Sequence, residues 1–266
     1  MNREYFSEAC HTVQTERDSQ VSGGGGIGTL GEKTLHAVLK RYFEPDTNFH
    51  EQKVGSYYAD ICRDNRIIEI QTKQFYKLRG KLSAFLPHYT VTVVYPIAST
   101  KYLIWVDPET GEMTVPRRSP KQGSFCGIFP ELYRIREFLS HPNLRICVVL
   151  VDIEEYRLRN GWSADGKKGS CCQERIPTGI QEELVVSSPE EYSLFLPPCL
   201  PQIFSSRDFA KAAHVSRGCA QTALNLLFGF SVVERVGKQG NAYLYQSRPI
   251  PESVGTPEPF QKEDVL

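Results

Sequence analysis

The sequence lacks the long apolar segments of membrane proteins, and it lacks the paired cysteines of zinc-binding domains. No uninterrupted apolar run among the 266 residues approaches the roughly 18 residues that a membrane-spanning helix requires. The N-terminal MNREYFSEACH contains no apolar signal segment. None of the eight cysteines forms a C-x-x-C pair, and the adjacent Cys171 and Cys172 have no second pair nearby at zinc-ligand spacing. These absences predict a cytoplasmic protein with reduced thiols and no membrane partner.

A phosphate-binding loop is also missing, although the stretch GGGGIGTLGEKTLH resembles one at first sight. A P-loop needs a Lys and then Ser or Thr directly after its last glycine, because that Lys folds back over the bound phosphates. Here Glu32 separates Gly31 from Lys33, and the preceding TERDSQVS is too polar for the buried strand that leads into such a loop. The glycines therefore indicate a linker in front of a helix, and residues 1–25 are predicted to form a flexible arm.

Hydrophobic periodicity predicts an α-β-β-β-α-β order between residues 31 and 95. Apolar residues at helical spacing mark GEKTLHAVLKRYF, and short alternating runs mark FHEQKVG, SYYADICRD and RIIEIQTKQF. A second helical pattern in FYKLRGKLSAFL precedes the β-branched run HYTVTVVYPI. This order predicts an α/β fold.

Further along the chain the patterns predict a hairpin in KYLIWVDPETGEMTVPRR, a helix in FPELYRIREFLSH and a buried strand in RICVVLVDIEEY. The polar, glycine-rich residues 159–182 are predicted to be an exposed loop. Proline density at LPPCLPQ marks a boundary, which predicts one domain over 26–185, a second over 186–248 and a disordered tail over 249–266.

Polar side chains repeat along one face of the predicted strand RIIEIQTK. Strand alternation places Glu69, Gln71 and Lys73 on this face, and Asp60 ends the preceding strand, so it lies beside Glu69 if the two strands form a hairpin. Carboxylates in the middle of a sheet are costly unless cations compensate them. A hard divalent cation such as Mg²⁺ binds one or two carboxylates, a main-chain carbonyl and waters.

These residues resemble the PD-(D/E)xK nuclease superfamily, in which a bent hairpin carries an Asp followed by a (Glu/Asp)-x-Lys. The resemblance covers about a quarter of the chain and implies a restriction-endonuclease-like αβββαβ core, a mixed sheet flanked by helices. It further implies an endonuclease that hydrolyses phosphodiester bonds in DNA. Asp60, Glu69 and the Ile70 carbonyl would hold Mg²⁺ or Mn²⁺, and Glu32 on the first helix would complete the site.

Two positions depart from the superfamily's pattern. Ala59 precedes the aspartate where the pattern has Pro, and Gln71 occupies the position of the motif Lys. Gln can hydrogen-bond a water but cannot accept its proton. Lys73 lies about 6–7 Å further along the same predicted strand face, which would allow its long side chain to reach the same water or the scissile phosphate.

Local charge favours a polyanion although the formal net charge of the chain is zero. Between residues 66 and 81 five basic residues face one acid, which predicts a basic helix carrying Lys77, Arg79 and Lys81 as nucleic-acid contacts. A solvated helix face of no special function is the alternative explanation of this run.

Two short helices followed by a hairpin are predicted in residues 205–245, a pattern that resembles a small winged helix-turn-helix domain. Ser205 or Ser206 would cap the first helix and Ser216 the second. In a DNA-binding reading the second helix and the wing supply the contacts, namely Arg217, Gln221, Asn225, Lys238 and Asn241. Winged helices also serve as docking modules, so a homodimer or a protein partner is the other interpretation.

Two further hypotheses compete with the nuclease. Loss of the motif Lys is compatible with a catalytically inactive DNA- or protein-binding scaffold in a larger assembly, and metal binding at Asp60 and Glu69 would discriminate the two. A small-molecule acid/base enzyme using His36, His50 or His88 is disfavoured, because none of these histidines lies in a recognisable nucleophile motif.

Overall fold

The computed structural model describes residues 2–21, 34–162 and 168–249. The helices are α1 (Arg3–Val21), α2 (Thr34–Phe43), α3 (Arg79–Phe85), α4 (Phe129–Leu132), α5 (Ser206–Ala212) and α6 (Arg217–Gly229). The strands are β1 (His50–Val54), β2 (Tyr57–Arg63), β3 (Arg66–Ile70), β4 (Thr90–Val106), β5 (Arg117–Arg118), β6 (Leu144–Trp162), β7 (Lys168–Val186), β8 (Ile203–Ser205), β9 (Val233–Gln239) and β10 (Ala242–Ser247). The predicted α-β-β-β-α-β order is confirmed as α2-β1-β2-β3-α3-β4.

A mixed seven-stranded sheet forms the centre of this α/β protein. Its strand order is β1-β2-β3-β4-β6-β7, with the short β5 paired to β4. Strands β3, β4 and β6 run parallel, whereas β1, β2, β5 and β7 join antiparallel to their neighbours. The parallel strands are the most buried, since helices cover both of their faces.

Two hydrophobic cores lie on opposite faces of the sheet. On one face α1 and α2 pack over Ile61, Ile68 and Val149. On the other face α3, α4 and the C-terminal elements pack over residues such as Ile67 and Val93. The amphipathic sequence of helix α2 follows from its position on the sheet. Its apolar positions face the sheet, while Arg41 in its last turn remains outside the core.

The predicted flexible arm is wrong for residues 3–21, which form helix α1. The side-chain amide oxygen of Asn2 accepts hydrogen bonds from the N–H groups of Glu4 and Tyr5, which starts the helix. Phe6 and Val13 are seven residues apart and therefore lie on the same face of the helix. Both are buried against α2 and the sheet. Apolar burial therefore fixes this segment, while the glycine-rich residues 22–33 lie outside the described residues.

The predicted exposed loop over 159–182 is also wrong. Most of this segment belongs to β6 and β7, which pair as one long antiparallel hairpin from Ile146↔Val186 to Trp162↔Lys168. The register shifts at four places along the ladder, and these irregularities accommodate Pro177 and Gly179 within the pairing. Between residues 171 and 182, whose burial is described, most side chains are exposed or half-buried, which accounts for the polar composition.

Two other predictions differ from the structure: two predicted strands form one continuous strand, and one predicted helix is broken into short turns. The runs HYTVTVVYPI and KYLIWV form one strand, β4, which a Val106↔Met113 bridge and the Leu103↔Arg117 pair link to the following chain. The predicted helix in FPELYRIREFLSH consists of three short helical turns between Phe125 and Ile135, with α4 in the middle.

The C-terminal elements form two capped helices and a three-stranded sheet ordered β8-β10-β9. Ser205 caps α5 in a capping box with Asp208, and Ser216 caps α6, as the sequence predicts. These elements share the hydrophobic core that covers the large sheet. Direct contacts also cross the predicted domain boundary, because the Cys219 thiol donates to the Cys126 carbonyl at 3.2 Å.

Candidate active site and nucleic-acid groove

The β2–β3 hairpin brings Asp60 and Glu69 together. Its ladder pairs Ile61 with Ile68 and closes at Arg63 and Arg66, as the turn-like residues between them predict. The described pairing ends at Ile61 and Ile68, so the next residues on the two strands, Asp60 and Glu69, lie where the strands part. There the Asp60 side chain bonds to the neighbouring strand in place of a backbone carbonyl, since its Oδ2 accepts a hydrogen bond from the Ile70 N–H at 2.7 Å.

A histidine from the facing helix holds Asp60. Nε2 of His36, on α2, lies 3.2 Å from Asp60 Oδ2, and the carboxylate requires this ring nitrogen to be the donor. Burial alone raises the pKa of Asp60, but the hydrogen bond and charge of His36, together with the Ile70 N–H, outweigh it and lower the pKa. Asp60 is therefore an ionised and oriented carboxylate.

Glu69 has the opposite environment. Its side chain is 2 % exposed, and its Oε2 accepts a hydrogen bond from Lys81 Nζ on α3 at 2.7 Å. Burial and the charge of Asp60 raise the pKa of Glu69 to about 7, against the opposing effect of Lys81. Its other oxygen, Oε1, is buried without a hydrogen-bond partner. Such an orphaned carboxylate oxygen is costly and calls for a cation.

The donors present fit a hard divalent cation in part. Asp60 and Glu69 supply carboxylate oxygens, and the Ile70 carbonyl is next to Glu69 in the chain, which is the donor type that Mg²⁺ prefers. Across residues 2–21, 34–162 and 168–249, no group of three His, Cys, Asp or Glu side chains able to hold a metal is found. Glu32, the fourth predicted ligand, lies outside the described residues.

Gln71 and Lys73 do not share the strand face that the sequence predicts. Strand β3 ends at Ile70, and Gln74 adopts a left-handed conformation with φ of 64° as the chain turns away. The Gln71 side chain folds onto this turn and donates from Nε2 to the Lys73 carbonyl at 2.5 Å, while Lys73 is exposed. The cation that reaches the carboxylates is instead Lys81.

The predicted basic face of α3 is largely neutralised. Arg79 pairs with Glu137, and Lys81 pairs with the buried Glu69. Lys77, in the turn before the helix, remains exposed. The helix therefore offers a polyanion less free positive charge than its composition predicts, and Lys81 has a role inside the site.

A groove of about 860 Å³ lies between α6 and the β9–β10 hairpin. It gathers four residues predicted to contact nucleic acid, Arg217, Gln221, Asn225 and Asn241, and Lys238 lies beside it with Nζ 4.7 Å from the centre of the Tyr243 ring. The lining contains two arginines and four side-chain amides, and no acidic residue. Such a lining favours an anionic ligand that also offers hydrogen-bonding edges.

Arg235 is a groove residue that the sequence did not reveal. Its guanidinium lies 4.4 Å from the ring centre of Phe228 and 4.2 Å from that of Tyr243. Cation–π contacts on this scale hold a guanidinium without neutralising it. The groove therefore contains a pre-positioned positive charge.

Three residues lie where the sequence reasoning did not place them. It considered His36 only for a small-molecule enzyme, predicted Lys81 as a nucleic-acid contact and did not single out Arg235. His36 follows Glu32 by four residues on a helical pattern, so the spacing could have placed it at the same site. Lys81 and Arg235 carry no local signal, because their partners lie on other elements.

Comparisons with known proteins give a family and a relative. A family described as a domain of unknown function, DUF8091, matches residues 33–187, which include Asp60 and Glu69 but not helix α6 or the β9–β10 hairpin. An uncharacterized protein of Treponema pallidum (strain Nichols) is 30 % identical over 249 residues, covering 89 % of this chain and 93 % of the relative. No solved structure matches the chain. In the described part of the chain, every helix is too short or too polar to cross a membrane.

Proposed function

The chain belongs to the DUF8091 family, and we propose that it is a metal-dependent endonuclease that hydrolyses phosphodiester bonds in DNA. The observation that carries this proposal is the pair of carboxylates at the opening of the β2–β3 hairpin. Asp60 is ionised and oriented by His36, and Glu69 is buried with one oxygen unpartnered. The α2-β1-β2-β3-α3-β4 order around this pair supports a restriction-endonuclease-like core.

Asp60, Glu69 and the Ile70 carbonyl would hold Mg²⁺ or Mn²⁺, with Glu32 as a further ligand. The bound cation would lower the pKa of a water and stabilise the charge that develops on the phosphate. The chain's own residues set the geometry: His36 and the Ile70 N–H fix the Asp60 carboxylate, and burial keeps Glu69 away from bulk water. Each carboxylate would thus be oriented before a cation binds.

We assign to Lys81 the role that the motif lysine has in the superfamily, since Gln71 occupies the position of that lysine. Its ammonium reaches Glu69 from α3 at 2.7 Å, so it lies at the carboxylate pair although it is twelve residues away in sequence. A cation there can orient the attacking water or bind a non-bridging phosphate oxygen. Gln71, held on the Lys73 carbonyl, has a supporting role at the end of β3.

The C-terminal elements would bind the DNA as a winged helix-turn-helix. Helix α6 presents Arg217, Gln221 and Asn225 to the groove, and the β9–β10 hairpin contributes Asn241 from its other wall. Arg217 and Arg235 would contact phosphates, and the amides would contact base edges. The groove's lack of acidic residues supports this assignment.

The test is cleavage of supercoiled and branched DNA by the purified chain with Mg²⁺ or Mn²⁺. Asp60→Asn should abolish nicking, because it removes the ionised carboxylate while preserving its shape. Asp64→Asn is the matched control, since Asp64 lies in the exposed turn of the same hairpin at φ of 53°, a conformation that Asn adopts readily. Equal nicking by the two variants would contradict the proposal.

An inactive scaffold is the second candidate, and one observation favours it. Lys81 already compensates one oxygen of Glu69, as it would in a site that has replaced its metal with an ion pair. Calorimetric titration with Mn²⁺ discriminates the two functions. Binding to the wild type that is lost in Asp60→Asn supports the nuclease, and absence of binding to either supports the scaffold.

A further inference from the structure

A second cavity, of about 200 Å³, opens where strand β4 breaks its regular pairing with β6. The ladder shifts register between Ala98 and Lys101, and the Thr100 N–H bonds to Asp152 Oδ1 at 3.0 Å instead of continuing the ladder. The polar side chains that line the cavity are Thr72, Tyr95, Lys101 and Arg175, and the rest of the lining is apolar or glycine. None of the lining residues is acidic.

A buried carboxylate organises the two cations of this cavity. Glu155 is 1 % exposed and accepts hydrogen bonds from Lys101 Nζ at 3.0 Å, Arg175 Nε at 3.1 Å and Arg157 Nη1 at 2.7 Å. Lys101 and Arg175, the two cations that line the cavity, alone carry two positive charges against this one carboxylate. Glu155 therefore fixes the cations without cancelling them.

Donor capacity remains on both cations that line the cavity. The bond to Glu155 uses only Nε of Arg175, and among the described residues both of its Nη groups have no hydrogen-bond acceptor. Lys101 Nζ likewise has one acceptor for three N–H groups within the described chain. Tyr95 and Thr72, which also line the cavity, each carry a hydroxyl group that can donate a hydrogen bond.

The cavity is adjacent to the carboxylate pair. The Gln71 N–H bonds to the Val94 carbonyl at 2.9 Å, and the residue that follows each of them in the chain, Thr72 and Tyr95, lines the cavity. Thr72 follows Ile70 by two residues, a span of at most about 7 Å. A ligand in the cavity would therefore lie next to the candidate metal site.

We propose that this cavity binds a phosphate group, through Lys101 and Arg175 with Thr72 and Tyr95. Its volume is below the roughly 300 Å³ at which pockets accept drug-sized ligands, so it fits a single tetrahedral anion and not a whole nucleotide. In the nuclease proposed above, on which this part of the assignment rests, the anion is a backbone phosphate beside the scissile bond. Free inorganic phosphate is the other source of the same chemistry.

The experiment compares Arg175→Gln with Arg157→Gln in metal-free buffer containing EDTA. Both arginines bind Glu155, but only Arg175 lines the cavity, so the pair separates loss of the cluster from loss of the anion site. Inorganic phosphate should raise the Tm of the wild type and of Arg157→Gln, and not that of Arg175→Gln. Thr72→Val, which leaves the Glu155 cluster intact, should also weaken the response.

Fluorescence anisotropy with a labelled DNA oligonucleotide distinguishes the two sources of phosphate. If the anion is a backbone phosphate, Arg175→Gln reduces affinity for all sequences alike and lowers the salt dependence of log K by about one, whereas Arg157→Gln does not. A phosphate response without any change in DNA affinity supports the anion site with free phosphate as its source, and overturns the backbone assignment.

Absence of any phosphate-induced Tm increase in the wild type, with equal DNA affinity in all three variants, would overturn the site itself. Binding without metal does not depend on cleavage. Failure of the nuclease proposal therefore shows in the Asp60→Asn assay and failure of the anion site shows here.

Discussion

Replacement of Glu69 by Gln tests two ideas together. The buried carboxylate should destabilise the metal-free protein, and it should bind a cation. In the metal-free protein the pKa of Glu69 is raised from its usual value of 4.5 to about 7, chiefly by burial. The folded chain therefore keeps a proton that the unfolded chain releases between about pH 4.5 and 7, and the free energy of unfolding falls as the pH rises through this window. At about 1.36 kcal/mol per pH unit, a span of about 2.5 units gives a loss of about 3 kcal/mol.

Glu69→Gln removes this loss, because the amide mimics the protonated acid and can still accept a hydrogen bond from Lys81. We expect the variant without metal to have no such decline from pH 5 to 8 and to be more stable than the wild type at pH 8, by up to about 3 kcal/mol. Urea unfolding curves at pH 5, 6, 7 and 8 measure this directly. Glu137→Gln is the matched control, since Glu137 also pairs with a cation on α3 but its side chain is 38 % exposed.

Mg²⁺ or Mn²⁺ should largely cancel this difference in stability at pH 8. The cation stabilises the folded wild type by about 2.7 kcal/mol at a concentration one hundred times its Kd, and should not stabilise Glu69→Gln. The reasoning is refuted if the variant is less stable than the wild type at pH 8 without metal, or if the cation raises the stability of both proteins equally.

Three other substitutions test separate parts of the structure. Lys81→Met should lower metal-dependent cleavage roughly 100-fold or more, the usual contribution of a positioned catalytic group, whereas Lys73→Met should have little effect in the same assay because Lys73 is exposed beyond the end of β3. Arg217→Ala should weaken DNA binding in EDTA for all sequences alike and lower the salt dependence of log K by about one, measured by anisotropy. Phe6→Ala should lower the free energy of unfolding by about 3–5 kcal/mol, because it empties a buried aromatic site under α1. Tyr5→Ala, at an exposed position of the same helix, should cost much less in the same urea unfolding experiment.

The order of helices and strands between residues 31 and 95 and the carboxylate pair were predictable because their signals are local. Alternating apolar residues on either side of the turn at Asp64 specify the β2–β3 hairpin, and a hairpin necessarily places the residue before Ile61 beside the residue after Ile68. The caps at Ser205 and Ser216 are local for the same reason, since a cap bonds only to the next two or three residues.

Other predictions failed, one of them because the alternation of a strand was extrapolated beyond the residue at which that strand ends. Alternation would place Gln71 and Lys73 with Glu69 only if β3 continued, and it stops at Ile70 once the chain turns. Polar composition likewise concealed the β6–β7 hairpin, where cross-strand pairing and bulges outweigh weak strand propensity. Residues 1–25 were predicted to be a flexible arm because they end in glycines, although Phe6 and Val13 have the spacing of one buried helix face.

The sequence by itself determined the mixed α/β organisation and the pair Asp60 and Glu69, because periodicity and turn residues act over a few positions. Only the tertiary structure decided which cation meets Glu69, since the docking of α3 against the sheet brings Lys81 across twelve residues of chain. It also decided that His36 orients Asp60 and that Arg235 stands fixed between Phe228 and Tyr243. These contacts depend on how separate elements pack, and no local pattern encodes that packing.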